Sequence, residues 1–318
     1  MEVVVSDTPF VDAELFRDRL DADVTVADTS TEAAVSAAAA TADALVVDVN
    51  TPATAAVFEA CESLRLVARA GTGVDNVDVA AAAEHGVTVT NVPDYSTDEV
   101  ATHALSLLLA CKRRLRPYDA EVRDGEWAWE AGRPLSPVVG STLGVVSFGA
   151  IARRLVELAD GFDLDVAVYD PYVDEATVAE YGARRVDFGT LLDESDAVSV
   201  HAPLTDETRG MFDADAFERL DDGAVLVNVG RGGIVDEDAL YDALTGGDLA
   251  AAGLDVLAEE PPDGSPLFDL ENVVVTPHAG FYSERSLADL NETLLADVQA
   301  VLAGEDPEHV VDPDADWR

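Results

Sequence analysis

Lysine is almost missing from this sequence. Of its 19 basic residues only Lys112 is a lysine; 64 acidic residues face them, and the formal net charge is −45. A chain so negative is repelled by nucleic acid and by anionic membranes, so neither is expected as a partner. Cysteine is scarce too. Cys61 and Cys111 lie in apolar helical patterns and have no metal-ligand or disulfide spacing, so buried thiols are expected and no metal site. No uninterrupted apolar run reaches about 18 residues, the length a membrane span needs. The opening MEVVVSD lacks a basic region and a long apolar core, so the chain is expected to be soluble and cytoplasmic.

What is present is acid, spread evenly. It recurs from Asp18, Asp21 and Asp23 to Asp312, Asp314 and Asp316, which argues against a disordered acidic tail. A folded protein working in strong salt explains it best, because screening quiets self-repulsion; a salt-accumulating halophile is the expected source. With 318 residues, 48% of them hydrophobic, the chain can bury a large core. At roughly 150 residues per domain, two domains are expected.

Short β-branched runs alternate with alanine-rich amphipathic segments. Val3 to Val5 precedes Ala13 to Leu20, Val24 to Val26 precedes Thr31 to Ala39, Leu45 to Val49 precedes Ala53 to Cys61, and Leu66 to Ala68 precedes Val77 to Glu84; Val87 to Val89 follows. Near-continuous apolar strands joined by helices predict a doubly wound, parallel α/β domain. Ser96 to Arg116 then reads as one buried helix opened by a capping box, Ser96-x-x-Glu99, and as the bridge between domains. The tract from Asp124 to Pro137, with Trp127 and Trp129, reads as irregular surface chain.

A second α/β series begins with strand Leu143 to Ser147, helix Ala150 to Ala159 and strand Val166 to Tyr169. Strands Ala197 to Val200, Val225 to Val229, Ala251 to Asp255 and Val273 to Thr276 follow, with a helix at Asp236 to Leu244. The long helix Ser283 to Leu302 can return to the first domain. The expected division is therefore 1–94 with 284–318, and 95–283.

Ser147-Phe-Gly149-Ala150-Ile151-Ala152 stands between the first strand and helix of the second series, where a dinucleotide fold uses G-x-G-x-x-G. Only the middle glycine, Gly149, is kept. Ala152 is a common third residue, but Ser147 is a departure that tightens or distorts the turn. The backbone N–H groups of Ala150 and Ile151, at the positive end of the helix, are expected to take the pyrophosphate. Asp170 ends the next strand, 21 residues beyond Gly149. A carboxylate there accepts from ribose hydroxyls and repels a 2′-phosphate, which favours NAD over NADP.

Three further motifs follow in order: Asn228-Val-Gly-Arg231-Gly-Gly-Ile-Val-Asp-Glu, Gly253-Leu-Asp255-Val-Leu-Ala-Glu-Glu260-Pro, and Thr276-Pro-His278-Ala-Gly. Together with Arg69-Ala-Gly71-Thr72-Gly73-Val-Asp-Asn and Asn91-Val-Pro, they resemble the D-isomer-specific 2-hydroxyacid dehydrogenases over nearly the whole chain. Ala279-Gly-Phe-Tyr-Ser-Glu and Asp170-Pro-Tyr are most similar to that family's C-terminal binding protein branch, which includes corepressors. The resemblance implies a Rossmann cofactor domain, a flavodoxin-like substrate domain and a homodimer.

It also implies an activity: hydride transfer between nicotinamide and a small 2-oxo or D-2-hydroxy acid such as glyoxylate, hydroxypyruvate or pyruvate. The chemistry needs a positioned acid, and His278 fits. Glu260, with Glu259 as fallback, would orient and charge the imidazole, and Arg231 would clamp the substrate carboxylate. Arg69, Gly71, Thr72 and Gly73 would bind the same carboxylate across the cleft between the domains. Phe281 and Tyr282 would shape the pocket.

Val229 and Gly230 would line the nicotinamide, and Asp255 would accept from its carboxamide. Val100, Gly280 and the strand-end motif His201-Ala202-Pro203 would also adjoin the cofactor. Each residue alone has a plain structural explanation, and His201 is balanced between structure and cofactor contact; their joint arrival at strand ends favours function. His85, His103 and His309 lack such context. Thr102 and Ala150 replace an acid and a base frequent in relatives. A D-3-phosphoglycerate dehydrogenase and an NAD(H)-sensing corepressor-like protein are the alternatives. The former is disfavoured because the first domain offers few bases beyond Arg17, Arg19, Arg65 and Arg69 for a phosphate.

Overall fold

The computed structural model describes residues 1–132 and 135–313; Asp314, Asp316 and residues 133 and 134 of the 124–137 tract lie outside them. The chain divides into two compact units, Met1–Tyr95 with the chain from Tyr282, and Ser96–Phe281.

The first unit runs β1 (Glu2–Ser6), α1 (Ala13–Arg19), β2 (Asp23–Ala27), α2 (Glu32–Ala38), β3 (Ala44–Val47), α3 (Ala55–Ala60), β4 (Leu66–Arg69), α4 (Val79–Glu84) and β5 (Thr88–Thr90), and regains the helix Glu284–Ala303. Its five strands are parallel, in the order β2-β1-β3-β4-β5, the flavodoxin-like order. Alternation along the strands fills both faces. Val4, Leu45, Val47 and Val67 pack with Val35, Val57 and Phe58 on one side. Val3, Val5, Val46 and Leu66 pack with Phe16, Leu290, Leu294 and Val298 on the other.

The second unit runs α5 (Thr97–Lys112), α6 (Leu115–Arg123), β6 (Thr142–Val146), α7 (Ala150–Ala159), β7 (Asp165–Tyr169), α8 (Glu175–Ala179), β8 (Arg184–Arg185), α9 (Phe188–Glu194) and β9 (Ala197–Val200). It ends with α10 (Ala214–Arg219), β10 (Val225–Asn228), α11 (Glu237–Gly246), β11 (Ala251–Leu254) and β12 (Val273–Val275). The sheet order β12-β11-β10-β9-β6-β7-β8 is that of a dinucleotide-binding fold with one strand added. Its chain order reverses between β6 and β9, and ligands of such sheets bind outside the strand ends at this switch.

Two expectations are corrected here. The helix from Ser96 stops at Lys112, because Arg114 takes a left-handed conformation (φ 49°) and α6 starts afresh after it. Ser96 makes no side-chain cap; Asp98 and Glu99 supply the negative first turn instead. Elsewhere Asp12, Asp78, Asp174, Asp187, Asp213 and Asp236 cap helices with their carboxylates. Each such cap contributes about 1 kcal/mol.

Cys61 and Cys111 are free and buried, and burial pushes the Cys111 thiol up to about 12. Among the described residues no helix is long and apolar enough to cross a membrane, and no cluster of His, Cys, Asp and Glu could hold a metal.

Candidate active site

In the second unit the loops after β6, β7, β9, β10, β11 and β12 all leave the same, C-terminal edge of the sheet. After β6, Ser147 occupies the left-handed region at φ 69°. Glycine is at ease there, whereas a serine is strained by about 1–2 kcal/mol. Gly149 caps α7 without a side chain, and a Cβ built on it would meet none of the described residues within 4 Å. The start of α7 is therefore open to an anion, which fits a pyrophosphate on the Ala150 and Ile151 N–H groups. Arg153 supplies a nearby cation that the sequence motif did not reveal. It donates through Nε to the Phe148 carbonyl (2.9 Å) and lies 5.6 Å from the centre of the Phe148 ring.

Asp170, buried just past β7, accepts from Phe148 N–H (2.7 Å) and Tyr172 N–H (2.8 Å), one through each oxygen. It holds the turn in shape, and each oxygen keeps a second lone pair for a ribose hydroxyl.

His201, just past β9, pairs through Nε2 with the Ser199 hydroxyl at 2.8 Å, while its Nδ1 is buried with no hydrogen-bond partner among the described residues. Burial pushes its pKa down from 6.5 to about 4, so the ring is neutral at pH 7. Unfolded, the same ring takes a proton below about 6.5, which the folded chain refuses. Stability from this source is thus complete above that pH and is lost as pH falls toward 4, by about 3 kcal/mol in all. His201→Asn should flatten the fall of the denaturation midpoint between these limits. Superimposable curves for variant and parent would refute it. Ala202, next to His201, is buried and Pro203 exposed.

After β10, the buried Asn228 side chain staples its own loop, donating to the Arg231 carbonyl (2.9 Å) and accepting from Gly230 N–H (3.0 Å). Arg231 donates through Nη1 to the Gly230 carbonyl at 2.9 Å. Half-buried Val229 donates its N–H to Val200 O at 3.3 Å. Gly230 lies so near Ala202 that a Cβ would come within 2.7 Å of its carbonyl oxygen. A Cβ on Gly232 would sit 1.9 Å from the Leu257 carbonyl carbon. Only glycine lets the loops after β10 and β11 touch here, and that contact brings Arg231 near Glu260.

Glu260 accepts from Leu257 N–H at 2.9 Å and pairs with His278 Nδ1 at 2.7 Å. Burial works to raise its pKa. The hydrogen bond and charge of His278, the Leu257 N–H and the nearby Arg231 outweigh burial and hold it below the ordinary glutamate value. Glu259, the fallback, is exposed.

The loop after β12 turns on Asp255. Its Oδ1 accepts from the Thr276 hydroxyl (2.6 Å) and Ala279 N–H (2.8 Å), its Oδ2 from Gly280 N–H (2.9 Å), and its carbonyl from His278 N–H (2.8 Å). Burial alone would raise the Asp255 pKa, but bonds from His103, Thr276, Gly280 and Ala279 outweigh it and lower it. These bonds hold His278 at φ 50°. Asp255, expected to serve the nicotinamide, thus also builds the loop that presents the histidine.

His103, which the sequence left without context, lies on α5 with Nε2 2.9 Å from Thr276 Oγ1 and 3.3 Å from Asp255 Oδ1. His85 meets the Ala81 carbonyl (2.8 Å), and His309 meets buried Asp297 (3.3 Å). Val100 is buried on α5; Phe281 is half-buried and Tyr282 exposed.

In the first unit, buried Arg69 ends β4 and donates to the Ala70 carbonyl at 2.8 Å. Gly71 follows at φ 135°, and exposed Thr72 donates to the Val92 and Pro93 carbonyls, both at 3.1 Å. Gly73 is half-buried.

Residues 105–280 match the family model described as D-isomer specific 2-hydroxyacid dehydrogenase, NAD binding domain. The chain is 43% identical over 269 residues to a D-3-phosphoglycerate dehydrogenase of Mycobacterium bovis, covering 85% of this chain and 51% of that protein. It thus spans about half the length of the curated relatives of that kind. A glyoxylate reductase of Korarchaeum cryptofilum is 41% identical over 273 residues, covering 85% of this chain and 82% of that protein. The structure of an Aquifex aeolicus D-lactate dehydrogenase complexed with NAD and lactic acid superposes with a TM-score of 0.88 at 26% identity, covering 95% of this chain and 96% of that one.

Proposed function

The chain belongs to the D-isomer specific 2-hydroxyacid dehydrogenase family, and on that premise we propose that it interconverts small 2-oxo acids and D-2-hydroxy acids with NAD. The observation that carries this reading is the 2.7 Å pairing of His278 with Glu260, whose acidity Arg231 helps to set. NADH, when bound at the strand ends of the second unit, supplies the hydride for the carbonyl carbon. Gly149, Ala150 and Ile151 hold the pyrophosphate and Asp170 the ribose. Val100, Val229, Gly230, Gly280 and the His201 to Pro203 segment adjoin the rest of the cofactor.

An ionised carboxylate only accepts, so Glu260 fixes the proton of His278 on Nδ1 and leaves Nε2 to give the second proton to the substrate oxygen. Glu260 also counters the charge of the doubly protonated ring. Arg231 binds the substrate carboxylate with its planar fork of donors. Arg69, Gly71, Thr72 and Gly73 are proposed as the first unit's substrate-binding residues, and Phe281 as a determinant of side-chain preference.

Similarity to D-3-phosphoglycerate dehydrogenases favours a phosphorylated substrate as the second reading. Against it, three of the first unit's arginines are engaged elsewhere. Arg17 pairs with Glu14, Arg19 with Glu292, and Arg65 with Asp43 and the Val301 carbonyl. The deciding experiment follows NADH and NADPH consumption in molar salt against glyoxylate, hydroxypyruvate, pyruvate and a phosphorylated 2-oxo acid. Turnover of an unphosphorylated acid with NADH preferred is the expected result. NADH binding without turnover of any acid would favour a sensor or corepressor.

The even spread of carboxylates supports a halophilic, cytoplasmic setting, for which molar salt is the working medium. A homodimer is supported by the large apolar side chains that Leu115, Val122, Trp127, Trp129 and Val139 leave exposed in one tract. A monomer in sedimentation equilibrium would remove that part of the proposal.

A further inference from the structure

We propose that His103 is a positioning residue: through Thr276 and Asp255 it fixes the left-handed backbone at His278 on which the pairing with Glu260 depends. The inference deepens the function proposed above and rests on it for the catalytic meaning of His278.

The direction of the hydrogen bonds follows from the groups themselves. Asp255 is ionised and only accepts, so the single hydroxyl proton of Thr276 goes to Asp255 Oδ1 at 2.6 Å. Thr276 Oγ1 must then accept from His103 Nε2–H at 2.9 Å. The same nitrogen also lies 3.3 Å from Asp255 Oδ1. A directed relay therefore runs from α5 into the loop after β12, from His103 to Thr276 to Asp255.

Asp255 in turn receives Ala279 and Gly280 N–H through its carboxylate and His278 N–H through its carbonyl. Those three bonds hold a non-glycine residue at φ 50°. Without the His103 donor, the Thr276 hydroxyl is free to turn away and Asp255 loses two of its polar neighbours at once. The packing is also close: a Cβ added at Gly280 would come within 3.4 Å of His103 Cδ2. His103 thus reaches the loop directly, while belonging to a helix that carries none of the reacting groups.

The test uses the full chain with labelled histidine. In the parent, the Nδ1 proton of His278, held by Glu260, gives a nuclear magnetic resonance signal that reports the pairing. His103→Leu is expected to displace or broaden that signal and to lower kcat/KM about tenfold, since small misplacements of a catalytic group carry losses of this order or more. His103→Gln, which restores a donor, is expected to recover both. Thr276→Val, which removes the relay hydroxyl but keeps His103, is expected to reproduce the loss and carries the test if His103→Leu does not fold.

An unchanged His278 signal in folded His103→Leu or Thr276→Val overturns the proposal, as does equal loss in His103→Leu and His103→Gln. If the parent turns over no 2-oxo acid, the functional reading fails, and the signal still decides whether His103 positions His278.

Discussion

Replacing His278 with alanine is expected to lower kcat by about 100-fold or more while NADH still binds. General acid catalysis supplies about 10² to 10⁴ of an enzyme's rate, and among the described residues no other histidine pairs with Glu260. The cofactor side should be spared, because the pyrophosphate is assigned to backbone N–H groups at the start of α7. The loop should survive too, since Asp255 binds the N–H groups of residues 278 to 280 rather than the imidazole. Single-turnover rates and NADH titrations on the same preparation separate the two effects. Near-normal turnover would take His278 out of the role; lost NADH binding would show the loop itself had collapsed.

Gly232→Ala should cost both stability and activity. Its Cβ would fall 1.9 Å from the Leu257 carbonyl carbon and 2.0 Å from its oxygen. Both are backbone atoms, so no rotamer change relieves the clash and the two segments must part. Overpacking of this kind costs about 1–3 kcal/mol. Parting them also moves Arg231 away from Glu260, so kcat/KM should fall further than the melting temperature alone would suggest. Gly161→Ala is the control: its Cβ meets none of the described residues within 4 Å, and stability should hold within about 0.5 kcal/mol. Parent-like melting and turnover in Gly232→Ala would mean that the segments slide apart without consequence.

What the sequence disclosed follows from which forces act locally. The parallel strands are visible because they are apolar on both faces, as at Val3 to Val5 and Val225 to Val227. The groups proposed for catalysis are visible because Arg231, Glu260 and His278 sit in dense motifs with few chemical uses. The two-residue strand Arg184–Arg185 carries no apolar pattern, and α8, α9 and α10, of five to seven residues, are too short to show a clear helical period.

His103 stayed hidden for another reason. Its partner Thr276 is 173 residues away, and nothing near His103 in the chain anticipates a polar contact within an apolar helix. Gly232 was legible as part of a motif, but the reason it must be glycine lies in Leu257, in the next loop. Ser96-x-x-Glu99 shows the converse. The pattern is present and the side-chain cap is not made.

The aspartates that begin α1, α4, α8, α9, α10 and α11 bear on how so acidic a chain keeps its architecture. An aspartate there does the work of a serine or threonine while meeting the helix's positive end, so a neutral cap can become charged with little structural effect. Helix starts are thus entry points through which a protein lineage can accumulate carboxylates one by one without redrawing its interior.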